Sequence, residues 1–156
     1  LGLNEMAILG GPPYSILDID LYVDSELATT YSCDGLIIST PVGSTAYNMS
    51  AGGPIVRKSL EAFIFTPLNP HTLTQRTVID TASRSYSLVI PSPHNGSSCV
   101  VDGRLLLPLQ AGDKVRISRA EPKFCLIETN QHGYYSTLRD KLAWGGDIQN
   151  TSSEID

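Results

Sequence analysis

The chain has 156 residues, of which 41% are hydrophobic and 17% charged, and its net charge is −5. That length suits one domain with a real core, and the acidic balance excludes a general nucleic-acid or anionic-membrane surface. No apolar run approaches the length of a membrane span, and Cys33, Cys99 and Cys125 form neither a disulfide framework nor zinc spacing, so reduced thiols in a cytoplasmic protein are expected.

Leu1-Gly2-Leu3-Asn4-Glu5 lacks an initiator methionine and is read as the interior of a longer chain. By residue type alone the Asn4-Glu5 pair is a turn or a solvated strand end before the strand-like Met6-Ala7-Ile8-Leu9. After a Gly-Gly-Pro-Pro loop, Ile19, Leu21 and Val23 alternate with Asp18, Asp20, Tyr22 and Asp24, which predicts a half-buried strand with its acidic residues toward solvent rather than around a metal. Asp24-Ser25-Glu26 turns the chain into an antiparallel partner over Leu27–Cys33. Leu36-Ile37-Ile38 is a continuous apolar run of the kind found in strands buried on both faces. Beyond Pro41, Ser44 and Thr45 offer N-cap oxygens for a short helix through Tyr47 and Met49, stopped by Gly52-Gly53-Pro54. Such a helix start would present free amide donors beside hydroxyls, suited to carbonyl, hydroxyl or phosphate groups.

Arg57–Glu61 is polar, and Ala62–Pro67 reads as a buried strand ended by proline. His71, in the loop that follows, has no motif-defined nucleophile or carboxylate beside it and reads as a structural hydrogen-bonding residue. Short strands are expected over 85–90, 98–102, 114–118 and 124–128, with Asp102-Gly103 as a hairpin turn between them. Regular spacing of this kind predicts a mainly β, sandwich-like domain. Tyr134, Leu138 and Leu142, at intervals of four, mark a C-terminal amphipathic helix, and from Gln149 onward the chain is polar and expected to be disordered.

The block Asp34-Gly-Leu-Ile-Ile-Ser-Thr-Pro-Val-Gly-Ser-Thr-Ala-Tyr47 resembles the signature of NAD kinases. Asn4-Glu5, the Pro70-His-Thr-Leu73 stretch and Leu138-Arg-Asp-Lys-Leu-Ala-Trp144 resemble further blocks of that family in the same order. Cys33 stands where the family usually has a glycine, and Val42 where many relatives carry a small hydroxyl residue near the adenine. The resemblance implies the C-terminal, substrate-binding lobe of the two-lobed fold. Residues 1–133 would form the all-β NAD-binding domain, 134–146 a helix against an N-terminal α/β lobe, and 147–156 a tail.

The implied activity is transfer of the γ-phosphate of ATP, or of polyphosphate, to the 2′-hydroxyl of the adenosine ribose of NAD, giving NADP, with a divalent metal such as magnesium. Asn4 and Glu5 would hold that ribose, whose vicinal diol suits an amide beside a carboxylate. Thr45 would meet the adenine, and Asp34, Ala46, Tyr47 and Ser50 would line the nicotinamide side. The resemblance places these groups on different subunits, hence a homodimer or homotetramer, and it puts an Asp-Gly turn near the dinucleotide's phosphates. No Gly-Gly-Asp-Gly-Thr occurs in these residues, so the general base is expected in the other lobe and this portion alone is expected to be inactive. Two other readings stand open, a non-catalytic NAD(P)-binding module and a relative of the diacylglycerol and sphingosine kinases. The Thr45-Ala46-Tyr47 block and the Asn4-Glu5 pair favour NAD over lipid.

Overall fold

A computed structural model describes residues 1–12, 16–125, 127 and 133–145. Two compact units divide the chain after Lys123. In the first, β1 (Glu5–Leu9), β2 (Leu17–Val23), β3 (Glu26–Cys33) and β4 (Gly35–Ser39) lead into a 3-10 turn (Gly43–Thr45) and a one-turn helix α1 (Tyr47–Ser50). There follow β5 (Ala62–Leu68), β6 (Val78–Thr81), β7 (Tyr86–Val89), β8 (Ser98–Val101), β9 (Leu105–Pro108) and β10 (Lys114–Ile117). These strands form a six-stranded sheet in the order β6-β5-β4-β1-β8-β9 and a four-stranded sheet in the order β10-β7-β2-β3. Every pairing is antiparallel.

The expected mainly β, two-sheet architecture is what the chain adopts. Alternation along the strands builds the core. Ile8, Leu36, Ile38, Phe63 and Phe65 of the larger sheet meet Leu17, Ile19, Leu21, Tyr31, Tyr86 and Leu88 of the smaller one in a single apolar cluster. Asp18 and Asp20, out of phase with those residues, instead accept hydrogen bonds from Ser32 and Thr30 across the β2–β3 hairpin. The hairpin turns at Asp24 and Ser25, both with positive φ (48° and 84°), the left-handed pair of a two-residue turn. Asp24 supports it by accepting from the Ser85 amide (2.9 Å) and from Arg84 Nη1 (2.6 Å).

β4 lies inside the larger sheet and is buried along its whole length, as its apolar run predicts. Leu36 and Ile38 face the apolar cluster, whereas the opposite face, with Ile37 and the β5 residues Ile64 and Thr66, is covered where α1 inserts Asn48. β5 passes through Pro67 to Leu68 instead of stopping at the proline, because β6 pairs only as far as Phe65 and the ladder on that side has already ended. β6 and β9, which the patterning did not reveal, are the two edges of this sheet. The run expected over 124–128 lies partly outside the described residues, and Phe124, Cys125 and Ile127 are not in a strand. In the second unit, α2 spans Tyr134–Leu142 and ends at Ala143 in the left-handed region (φ 50°). The expected tail lies outside the described residues.

Candidate functional site

The polar site grows from the start of β1. The register Glu5↔Ser39 sets Asn4 and Glu5 beside the end of β4, where the chain enters the 3-10 turn. Thr40 joins the two segments: its amide donates to the Asn4 carbonyl (2.9 Å), its hydroxyl donates to the Leu3 carbonyl (2.7 Å), and the same oxygen accepts from the Gly43 amide (3.1 Å). Gly43 then passes so close that a Cβ there would stand 2.0 Å from the Asn4 carbonyl oxygen. On the other side, the Asp102 carboxylate accepts the amides of Leu3, Asn4 and Glu5. Burial pushes the Asp102 carboxyl up, but those three amides, with Arg104 nearby, hold it below its ordinary value.

Glu5 is partly buried, and its carboxylate lies near the backbone N–H of Tyr47. Its Oε2 is buried and has no hydrogen-bond partner among the described residues. Burial, then the nearby charge of Asp102, raises its pKa, against the opposing pull of the Tyr47 backbone N–H. The folded state therefore holds this proton more tightly than the unfolded chain, and ionisation costs stability as pH rises from the ordinary value near 4.5 through the folded one. Glu5→Gln is accordingly expected to stabilise the domain at pH 7, modestly, because water screens a partly buried carboxylate. The gain should fade as pH falls to the ordinary carboxylate range. Urea midpoints of both proteins at pH 7 and pH 4 measure it, and a Gln variant less stable at pH 7 would contradict it.

The turn after β4 differs from the expected capped helix. Neither the 3-10 turn nor α1 has a side-chain cap, and Ala46 (φ −98°, ψ −128°) separates them. Ser44 is buried, donating to the Pro41 carbonyl (2.7 Å) and accepting from the Val56 amide (3.0 Å), so its hydroxyl pins the turn to the next segment. Amides expected to be free are also engaged: Gly43 with Thr40 and Ala46 with the Gly43 carbonyl. Thr45, Tyr47 and Ser50 are exposed and Ala46 partly so, which leaves these four on the accessible side of the turn beside Asn4 and Glu5. Asn48, within the same short helix, points inward and is fully buried.

Asp34 lies elsewhere. It stands at the opposite end of β4, where its carbonyl accepts the Gly10 amide (3.2 Å), so it is about 17 Å from Glu5 at the rise of a strand. Its carboxylate accepts Asn69 Nδ2 (3.0 Å) and lies 3.7 Å from His71 Nε2. The fold thus brings Asn4, Glu5, Thr45, Ala46, Tyr47 and Ser50 to one end of β4 and leaves Asp34 at the other within a single chain. Cys33, before it, completes β3 in ordinary extended backbone. Burial pushes its thiol up to about 11, as expected of a core residue rather than a nucleophile.

Concavities of about 520 and 580 Å³ occur in this unit, the first around Arg84 and Arg119 and the second around Tyr31, Gln75 and Tyr86. Neither is lined by Asn4, Glu5, Asp34, Thr45, Ala46, Tyr47 or Ser50. Among the described residues no group of three or more His, Cys, Asp or Glu side chains could hold a metal ion. No helix among them is long and apolar enough to cross a membrane, which says nothing of β-barrels.

Fold and site together define a two-sheet β domain that presents a carboxylate and an amide beside a strand-to-helix turn. Residues 3–129 match the model of the ATP-NAD kinase C-terminal domain, and the chain belongs to that family. It is 53% identical over 146 residues to the NAD kinase of Rhodopirellula baltica, covering 94% of this chain and 47% of that protein. With the NAD kinase of Shewanella woodyi it shares 38% identity over 148 residues, covering 94% and 50%. The chain spans about half the length of these curated relatives. Among solved structures it is similar to yeast NADH kinase complexed with NADH, with a TM-score of 0.81 at 25% identity, covering 96% of this chain and 46% of that one. An Archaeoglobus fulgidus NAD kinase in complex with ATP gives 0.70 at 31% identity, covering 78% and 46%.

Proposed function

We propose that this chain is the NAD-binding half of an enzyme that transfers the γ-phosphate of ATP, or of polyphosphate, to the 2′-hydroxyl of the adenosine ribose of NAD, giving NADP. The observation that carries this reading is the Glu5 carboxylate, one of whose oxygens is buried with no hydrogen-bond partner among the described residues. An orphaned acceptor of this kind is costly unless a ligand hydroxyl completes it. Asn4 beside it adds a donor and an acceptor, and the two can chelate a vicinal diol. Thr45 then meets the adenine, while Ala46, Tyr47 and Ser50 offer an accessible wall with an aromatic face. The relatives' names and the NADH and ATP complexes of the similar structures support the dinucleotide and the phosphoryl donor.

In the reaction the 2′-oxygen bonds to the γ-phosphorus, the bond to the departing diphosphate breaks, and the hydroxyl proton leaves to a base. This chain contributes the orientation of the ribose, which is a large part of such catalysis. The base, the phosphate-binding groups and the coordination of magnesium belong to residues outside it, including an N-terminal lobe on which Tyr134, Leu138 and Leu142 of α2 would pack. Asp34, about 17 Å from Glu5 along the strands, would serve a dinucleotide held by a second copy, which supports a homodimer or larger assembly. The unpaired Cys33, Cys99 and Cys125 support a reducing, cytoplasmic setting.

Calorimetric titration of the chain with NAD, beside a coupled assay for NADP with ATP and magnesium, tests the reading. Binding without turnover is expected, and Asp34→Ala and Tyr47→Ala should each weaken binding by more than ~1 kcal/mol. Unchanged affinity in both would sink the pocket, and turnover by this chain alone would put the base within it.

A further inference from the structure

Asp102 begins a hairpin turn that its own side chain does not serve. The turn is closed by the Arg104 amide on the Val101 carbonyl (3.0 Å), and both Asp102 (φ 48°) and Gly103 (φ 63°) are left-handed. Asparagine or glycine meets that backbone demand at least as well as aspartate does. The carboxylate reaches instead across the sheet. Oδ2 accepts the Leu3 amide (2.7 Å), and Oδ1 accepts the amides of Asn4 (2.8 Å) and Glu5 (3.1 Å). The Asp102 amide in turn donates to the Glu5 carbonyl (2.9 Å). Three consecutive backbone donors thus end on one side chain, at the two residues that carry the amide and the orphaned carboxylate.

We propose that Asp102 is a positioning residue, which clamps the Leu3–Glu5 backbone so that the Asn4 amide and the Glu5 carboxylate stand ready for a ribose diol. Resting on the NAD-site reading of that pair, the assignment adds a residue that acts through the backbone of the pair. It also explains why a carboxylate occupies the turn: an asparagine keeps one oxygen for Asn4 and Glu5 but turns an NH₂ toward the Leu3 amide, whereas a carboxylate accepts from all three.

Two measurements on the full chain test this. In amide hydrogen exchange without ligand, Asp102→Ala should lose protection at Leu3, Asn4 and Glu5 while Ala7 and Ile8, in mid-strand, keep theirs. Unchanged exchange at the three amides overturns the clamp. In NAD titrations, Asp102→Ala should lower affinity about tenfold, worth about 1.4 kcal/mol, with Asp102→Asn recovering most of it. In a Glu5→Gln background the same alanine substitution should cost less than threefold, since its effect passes through the pair. Independent, multiplying losses would overturn the assignment, because a residue of merely structural importance acts equally in either background. Failure of the unaltered chain to bind NAD would instead refute the NAD reading, and the exchange result would then decide the clamp by itself.

Discussion

Asn48→Ala is expected to destabilise the domain by about 3–4 kcal/mol, since about 1–3 kcal/mol attaches to each buried polar group left without a partner. Asn48 is fully buried between the turn and the sheet. Its Nδ2 donates to the carbonyls of Ser44 (3.0 Å) and Pro54 (3.1 Å), and its Oδ1 accepts the Thr66 hydroxyl (2.7 Å). One side chain therefore bonds the two ends of the turn to each other and the turn to β5. Alanine removes all three bonds and leaves a void. A fall in the urea midpoint with unchanged slope would register the loss, and Thr66→Val, which breaks one of these three bonds together with the longer Thr77–Thr66 bond (3.3 Å), should cost less. A loss below about 1 kcal/mol for Asn48→Ala would show that these carbonyls find other partners.

Gly43→Ala should act mainly on binding. The residue has no positive φ, so its requirement is one of space: the added Cβ would meet the Asn4 carbonyl oxygen at 2.0 Å, its carbon at 2.4 Å and its Cα at 2.6 Å. These are backbone atoms of the residue that offers the candidate site its amide, and they cannot swing away as a side chain could. Either the turn or the β1 start must move. Affinity for NAD is expected to fall tenfold or more, at least about 1.4 kcal/mol, in a protein that retains its β circular dichroism. Wild-type affinity in a folded Gly43→Ala protein would mean that the approach of turn to strand does not shape the site.

Much of the site's composition was legible because the signature block is long and locally ordered. The apolar run 36–38 required a strand covered on both sides, and the hydroxyl- and glycine-rich stretch after it required a turn. The role of each hydroxyl was not legible. Ser44 and Thr45 look like caps by type, yet the cap-like acceptor is Thr40, before the proline, whose oxygen takes the Gly43 amide. Asn48 looks like an ordinary helix residue, and only the proximity of β5 makes it a buried bridge. Edge strands β6 and β9 were missed for a related reason. An edge has one partner strand, and these two are largely exposed, so nothing imposed an apolar alternation on Val78–Thr81 or Leu105–Pro108.

The sequence by itself determined the class of fold and the Asp24-Ser25 and Asp102-Gly103 turns, because strand alternation and turn chemistry are properties of neighbours in the chain, while the candidate site residues came from the resemblance of the signature block. Only the tertiary structure decided which of those residues meet. Sheet register set Asn4 and Glu5 beside the turn at one end of β4 and left Asp34 at the other. The β1–β8 pairing brought Asp102 onto amides up to 99 residues away in sequence. A hydrogen bond across such a separation depends on how strands align in space, and no local pattern encodes that alignment.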